Sequence, residues 1–364
     1  MTGAPDLFRG DPVGRWVEAG LPFARWNRPL VVLAAAVVSW GGLALLSFMQ
    51  GPQTGLAFLG DYAAVAQYLF AIPILLAVEP WIDRRVAGLP RHLVGGGLLR
   101  ETQPIEEAWR SVGRLNRVGW HYVVLVVAAY TLTWCWLGSE IADCLTNWRM
   151  TAGGMHPGGW WIGLVALPLF HFLWLRWAAK LLLWTWFLQR LARSDLRLSA
   201  HHPDGAGGLA FLGQIQASFG ILMFVFGVVT TATAFYDIHV AGVSPTGFLG
   251  LGLIILYLAF APVLFLAPLL VFTVRLREVK EMALLHCAKG IAGQQQEGPS
   301  VDELEAIAHW QVAYERVLAM RTLPFDFKTL RQLAVTAGAP VVPLVAQFLP
   351  WESLRESLRM LFGS

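Results

Sequence analysis

WWIGLVALPLFHFLWLRWAAKLLL, residues 160–183, decides what kind of protein this chain is. The stretch holds no acidic side chain and three ionisable ones, His171, Arg176 and Lys180. At about 1.5 Å of rise per residue, a helix of this length crosses a hydrocarbon core of about 30 Å. The run is too long and too apolar for an ordinary buried helix, so it reads as a membrane span.

The same reading extends in both directions. Leu30–Met49, Asp61–Val78, Trp120–Gly138, Leu209–Tyr236 and Phe248–Val274 also reach spanning length, making six spans with 160–183 as the fourth. Composition agrees. The chain is 56% hydrophobic and only 14% charged, against roughly 25% charged in a soluble domain. Tryptophans gather at the ends of the runs: Trp134, Trp136, Trp148, Trp160 and Trp161 at one level, Trp120, Trp184 and Trp186 at the other. That is the aromatic belt of a membrane protein. The first run lacks a small-residue cleavage site and is expected to be retained.

Charge orients the bundle. Every Lys and Arg except Arg149 falls toward one side when the runs are threaded as spans. The positive-inside rule then places both termini in the cytoplasm of a plasma (inner) membrane. The expected fold is an all-α polytopic transmembrane helix bundle with cytoplasmic amphipathic helices. It divides into an N-terminal arm (1–29), a six-span bundle (30–274, with a cytoplasmic helical loop at 81–119) and a helical C-terminal region (275–364). The net charge of +3 and its one-sided distribution suit a face resting on anionic lipid headgroups and make no case for nucleic acid.

Within the cytoplasmic parts, 102–118 carries Ile105, Ala108, Val112, Leu115 and Val118 on one helical face, with Pro104 near its start. Ser300 and Glu303 form a capping box that starts a helix running to about Leu323. Leu333–Leu349 is apolar but contains Gly338, Pro340 and Pro343, and reads as a seventh span, a re-entrant segment or one lying against the bundle. The tail Trp351–Phe362 fits an interfacial amphipathic helix. Pro73, Pro168, Pro262 and Pro268 should kink the second, fourth and sixth spans.

An ionisable group at membrane depth costs a few kcal/mol or more, so each needs an account. His171 lies near the midplane, about 16 Å from Trp160, and Arg176 and Lys180 lie deeper, one turn apart on one face. Glu79, about 27 Å along the second span from Asp61, matches the depth of Arg176. A structural ion pair and a charged vestibule are both open readings. His171 is either a neutral imidazole bonded to a carbonyl freed by Pro168, or a pore or proton-relay residue. Gln214 and Gln216 in the fifth span offer either a polar layer shared with Arg176 or interhelical hydrogen bonds. The fifth span also carries a seam of small residues, with Gly213, Gly220 and Gly227 at heptad spacing, suited to close helix packing or to self-association into a homo-oligomer.

The loop His201-His202-Pro203-Asp204-Gly205-Ala206-Gly207-Gly208 precedes the fifth span. Pro-Asp-Gly is turn chemistry and Asp204 can cap the following helix. The glycines also offer an anion nest, making His201, His202, Asp204, Gly207 and Gly208 candidate ligand contacts. This HPDGAGGL stretch, together with the layout, resembles multi-pass bacterial membrane proteins. A similar stretch at 92–98 (HLVGGGL) raises the idea of internal duplication.

Protease pairs, nucleophile elbows, paired-His zinc motifs and nucleotide fingerprints are missing from the sequence, so no catalytic residue, metal or cofactor is assigned and the enzyme reading is the weaker one. The leading expectation is a channel or transporter for small anions or protons, with a path along Glu79, His171, Arg176, Lys180, Gln214 and Gln216. The alternative is a non-catalytic membrane scaffold or signalling partner acting through its cytoplasmic helices.

Overall fold

In the computed structural model, residues 27–117, 120–142, 147–151, 154–240, 255, 257, 259, 263, 265–293 and 300–344 are described. Expectations for the N-terminal arm up to residue 26, for most of the sixth span and for Trp351–Phe362 lie outside them. Among the described residues, five helices are long and apolar enough to cross a membrane: Arg28–Met49, Tyr62–Gly95, Trp120–Gly138, Pro157–Ala192 and Ala210–His239, hereafter spans 1 to 5. The bundle is all-α apart from a two-residue antiparallel ladder, Met150–Thr151 with Gly154–Met155.

Burial sorts the spans. The most apolar windows of spans 1 and 3 are 17% buried, whereas those of spans 2, 4 and 5 are 44%, 50% and 61% buried. Spans 2, 4 and 5 therefore make the core, and spans 1 and 3 flank it with Leu45, Met49, Val123 and Val127 turned outward. Outward-facing apolar side chains of this kind, on helices of spanning length, suit contact with lipid. One end of the bundle carries Asp61 and Arg149; the other, the basic end, carries Arg84, Arg85, Arg190 and Arg275.

The prolines act by a specific route. Span 2 turns π-helical over Val65–Ala71, just before Pro73, and span 4 does so over Ile162–Ala166, just before Pro168. Proline supplies no N–H and crowds the carbonyl one turn back; widening the helix relieves the clash and leaves carbonyls free. Span 1 has a third π-helical stretch, Val37–Gly41, beside the other two. Each stretch has a free carbonyl taken by a neighbouring span. Ser39 shares its hydroxyl between Ala35 O at 2.6 Å and Tyr68 O at 3.2 Å, Trp161 Nε1 donates to Val38 O at 3.0 Å, and Tyr130 to Leu164 O at 2.9 Å. In hydrocarbon an unmet carbonyl costs several kcal/mol, so these side chains fix how the spans pack. Gly42 makes room for one of them: a Cβ there would sit 2.8 Å from Trp161 Nε1.

The small-residue seam of span 5 packs on the C-terminal segment. A Cβ on Gly213 would lie 2.8 Å from Phe325 Cβ, one on Gly220 3.6 Å from Leu333, and one on Gly227 3.0 Å from Pro340. The helix Phe327–Gly338 therefore ascends alongside span 5 from the basic end, and Tyr257 ties its last turn to span 5 by contacts with Ala337 O and Met223 O. Of the three readings of Leu333–Leu349, its described part, to Leu344, lies against the bundle, with Leu333, Val341 and Leu344 buried.

Two further helical pieces sit at the basic end. Gln103–Arg117 lays Ile105, Ala108, Trp109 and Val112 on the end of span 4, where Trp109 meets Phe187 edge-on at 4.6 Å. Thr273–Ala292 and Val301–Leu318 form an antiparallel hairpin, with Trp310 seated over Gly290. The capping box at Ser300 and Glu303 is formed on both sides. The helix it starts ends at Leu318, not Leu323, where Lys280 draws the last carbonyls by donating to Leu318 O and Met320 O.

Candidate functional site

Pro80 builds the centre of the site. It interrupts span 2 at Val78, so that a new helix, Glu79–Ala87, begins with a carboxylate in its first turn. Leu75 O, freed by the break, accepts from Trp177 Nε1 at 2.9 Å. Trp177 is next to Arg176 in span 4, and this bond turns the Arg176–Lys180 face toward Glu79. Arg176 Nη2 donates to Glu79 Oε1 at 2.5 Å, and Lys180 Nζ donates to the same oxygen. All three side chains are buried, and Lys180 also lies 5.0 Å from the centre of the Trp177 ring. Asp83, one turn beyond Glu79, is within electrostatic reach of Lys180, Glu79, Arg28 and Arg176. Its Oδ1 is buried and has no hydrogen bond among the described residues.

The polar layer continues one turn toward the basic end. Trp184 Nε1 donates to Gln216 Oε1 at 2.9 Å, with both groups buried. Gln214 does not join this layer. It is exposed, and its backbone carbonyl accepts from Arg85 at 3.4 Å.

His171 stands apart. Five residues separate it from Arg176, about 140° around the helix, and it faces span 3. There its Nδ1 lies 2.9 Å from Thr133 Oγ1. The Thr133 hydroxyl also donates to Ala129 O at 2.8 Å, which leaves its oxygen able to accept from Nδ1 in the tautomer protonated there. The partner expected for a neutral His171, a carbonyl freed by Pro168, is thus replaced by Thr133, while Leu164 O goes to Tyr130.

The loop before span 5 supplies its own anion. Asp204 Oδ1 accepts from Ala206 N at 2.9 Å and Gly208 N at 3.0 Å, and Oδ2 accepts from Ala210 N at 3.0 Å. Partial burial pushes the Asp204 carboxyl up, but these N–H groups and His202 outweigh it and hold the group below its ordinary 3.8. Gly205, Gly207 and Gly208 have φ of 63°, 65° and 97°, which their neighbours' packing requires of glycine. Leu98 and Leu276 close over the last two, and Arg321 donates to Asp204 O at 2.6 Å. His202 Nδ1 lies 2.8 Å from Asp204 Oδ1, while His201 is exposed. The stretch at 92–98 differs: 89–95 is helical and His92 stacks on Phe211 at 4.8 Å. Its likeness to 201–208 is one of letters and not of backbone.

At the opposite end, Arg149 is no free charge. Its guanidinium donates to Asp61 Oδ2 at 2.5 Å, and Trp148 Nε1 donates to the same oxygen at 3.0 Å. Asp61 is fully buried and caps span 2 by accepting from Ala64 N. The rings of Trp136, Trp148 and Tyr236 surround the guanidinium at 5.2–5.9 Å. The sequence signal for this cluster was the one basic residue on the sparse side, together with an acid at a span start. Asp83 and Thr133 left no such signal. Among the described residues there is no group of three or more His, Cys, Asp or Glu that could hold a metal ion. No protein family, no curated protein and no solved structure matches the chain.

Proposed function

We propose that this membrane protein is a channel or carrier for small anions or protons, and that the Glu79–Asp83–Arg176–Lys180 cluster is the charged site the permeating ion meets. The carrying observation is a cluster of buried ionisable groups at one depth of the core. Glu79 Oε1 takes both Arg176 and Lys180, Arg28 lies within electrostatic reach of Asp83, and Asp83 keeps a buried oxygen without a hydrogen bond among the described residues. Ionisable groups at membrane depth are costly to keep, and they mark ion and substrate paths. Two cationic side chains directed at one carboxylate oxygen offer an anion a place to compete for them.

The orientation belongs to the same proposal: the basic end faces the cytoplasm. Arg149 fits it, since Asp61 neutralises the charge that would otherwise count against it. That pair also closes the far end of span 2, so opening a path requires it to separate. His171 and Thr133 would line a second polar seam, between spans 3 and 4.

Purified protein in liposomes tests the reading, with halide and nitrate fluxes followed separately from internal pH. Arg176→Gln should lower anion flux about tenfold or more, the effect of losing roughly 1.4 kcal/mol at the site. Folded protein that passes neither protons nor any anion of the panel would overturn it. The scaffold reading draws on the Thr273–Ala292 and Val301–Leu318 hairpin, which leaves Met282, Leu285 and Leu304 exposed. It predicts no flux, and binding of a stoichiometric partner that Leu304→Glu abolishes.

A further inference from the structure

We infer that a groove between spans 3 and 4 at the basic end is a binding site for one anionic glycerophospholipid. This inference does not depend on the transport reading. Spans 3 and 4 are pinned together along their middle by Tyr130 on Leu164 O and Thr133 on His171. Toward the basic end they part around Ala179, leaving a recess of about 370 Å³. That is within the range of small-molecule sites.

The lining is ordered along the helix axes. Val124 and Leu125, a little over one turn inside the start of span 3, face Ala179 and Leu182, about three turns before the end of span 4. Nearer the end, Trp120, His121 and Trp186 ring the mouth. One turn beyond Trp186, exposed Arg190 holds its guanidinium 5.7 Å from the centre of the Trp186 ring. Aliphatic, then aromatic, then cationic is the order of an acyl tail, a glycerol-ester region and a phosphate met on leaving a bilayer. A second copy of the chain would have to fill the recess with a side chain and would gain nothing from Arg190. A headgroup with a net negative charge would gain from it, whereas a zwitterionic one brings its own cation.

Native mass spectrometry of the full protein tests this, using mixed micelles of equal phosphatidylglycerol and phosphatidylcholine. One phosphatidylglycerol should be retained about fivefold over phosphatidylcholine, the worth of one arginine at an anionic surface. Arg190→Gln should bring the two lipids to parity while tail binding persists. Leu182→Trp, at a position 68% exposed and so tolerant of bulk, should fill the groove and remove retention of both. Millimolar inorganic phosphate should not compete; competition would mean a bare phosphate site in place of a lipid site. Equal retention of the two lipids by the parent protein would overturn the inference. So would retention unchanged in both variants, or a dimer that Leu182→Trp dissociates.

Discussion

Glu79 carries two buried cations on a single carboxylate oxygen, and that sharing makes it the most consequential side chain in the bundle. Glu79→Gln should cost about 3–5 kcal/mol, because it removes the carboxylate that buried Arg176 and Lys180 share. Thermal unfolding in detergent measures this. Adding Arg176→Met and Lys180→Met to the same chain should recover most of the loss, since apolar replacements of a buried ionic group are often neutral. Asp204 makes a different prediction. Its folded carboxyl is held below the ordinary value, so the stability it adds is full above about pH 4 and is lost as pH falls through the lowered folded value. Asp204→Ala should therefore cost about 0.5–2 kcal/mol at neutral pH, and the gap between the two melting curves should close in acid. At this scale the sequence was partly legible. The depth match of Glu79 and Arg176 followed from counting residues, and the Asp204 cap from turn chemistry. The partner of His171 did not, because Thr133 lies on another span at a rotation that counting cannot supply.

Among the elements, the π-helical stretches and the glycine seam decide how helices meet. Tyr130→Phe should leave Leu164 O unbonded beside Pro168 and cost about 1–3 kcal/mol, again read from melting in detergent. Gly213→Leu should force Phe325 and Pro324 away from span 5. The expected result is loss of about 1–3 kcal/mol from overpacking and new tryptic cleavage at Lys328 and Arg331. Gly138→Leu serves as the control, since a Cβ at Gly138 meets nothing within 4 Å. The prolines announced kinks in spans 2 and 4, and the seam announced a close-packed partner. Neither the carbonyl acceptors nor the identity of that partner could be read from one strand of sequence. The partner is a segment more than 100 residues downstream, and it joins span 5 by shape, with Pro340 on Gly227 and Leu333 on Gly220.

At the scale of the whole molecule, spans 2, 4 and 5 form a buried core, and ion pairs sit at the start of span 2 and at its mid-length break. Asp61 and Arg149 pair at the start, and Glu79 with Arg176 and Lys180 at the break. Topology can be measured directly in a Cys135→Ser, Cys144→Ser, Cys287→Ser background. Under the proposed orientation, a membrane-impermeant maleimide added outside intact cells should label Gln53→Cys and spare Arg91→Cys. Labelling of Arg91→Cys from outside would reverse the bundle and remove the positive-inside argument.

Length, hydropathy and the one-sided basic residues were enough to read a helical membrane protein, because crossing about 30 Å of hydrocarbon demands long apolar runs with every backbone group bonded within a helix. Those constraints act along the chain and leave their mark in linear order. What only the tertiary structure decided was which faces meet: Lys180 joining Arg176 on Glu79, Arg149 finding Asp61, Thr133 taking His171, and the C-terminal helix lying in the glycine seam. In hydrocarbon these choices turn on satisfying each stray charge and carbonyl, and the groups that satisfy them come from distant parts of the chain.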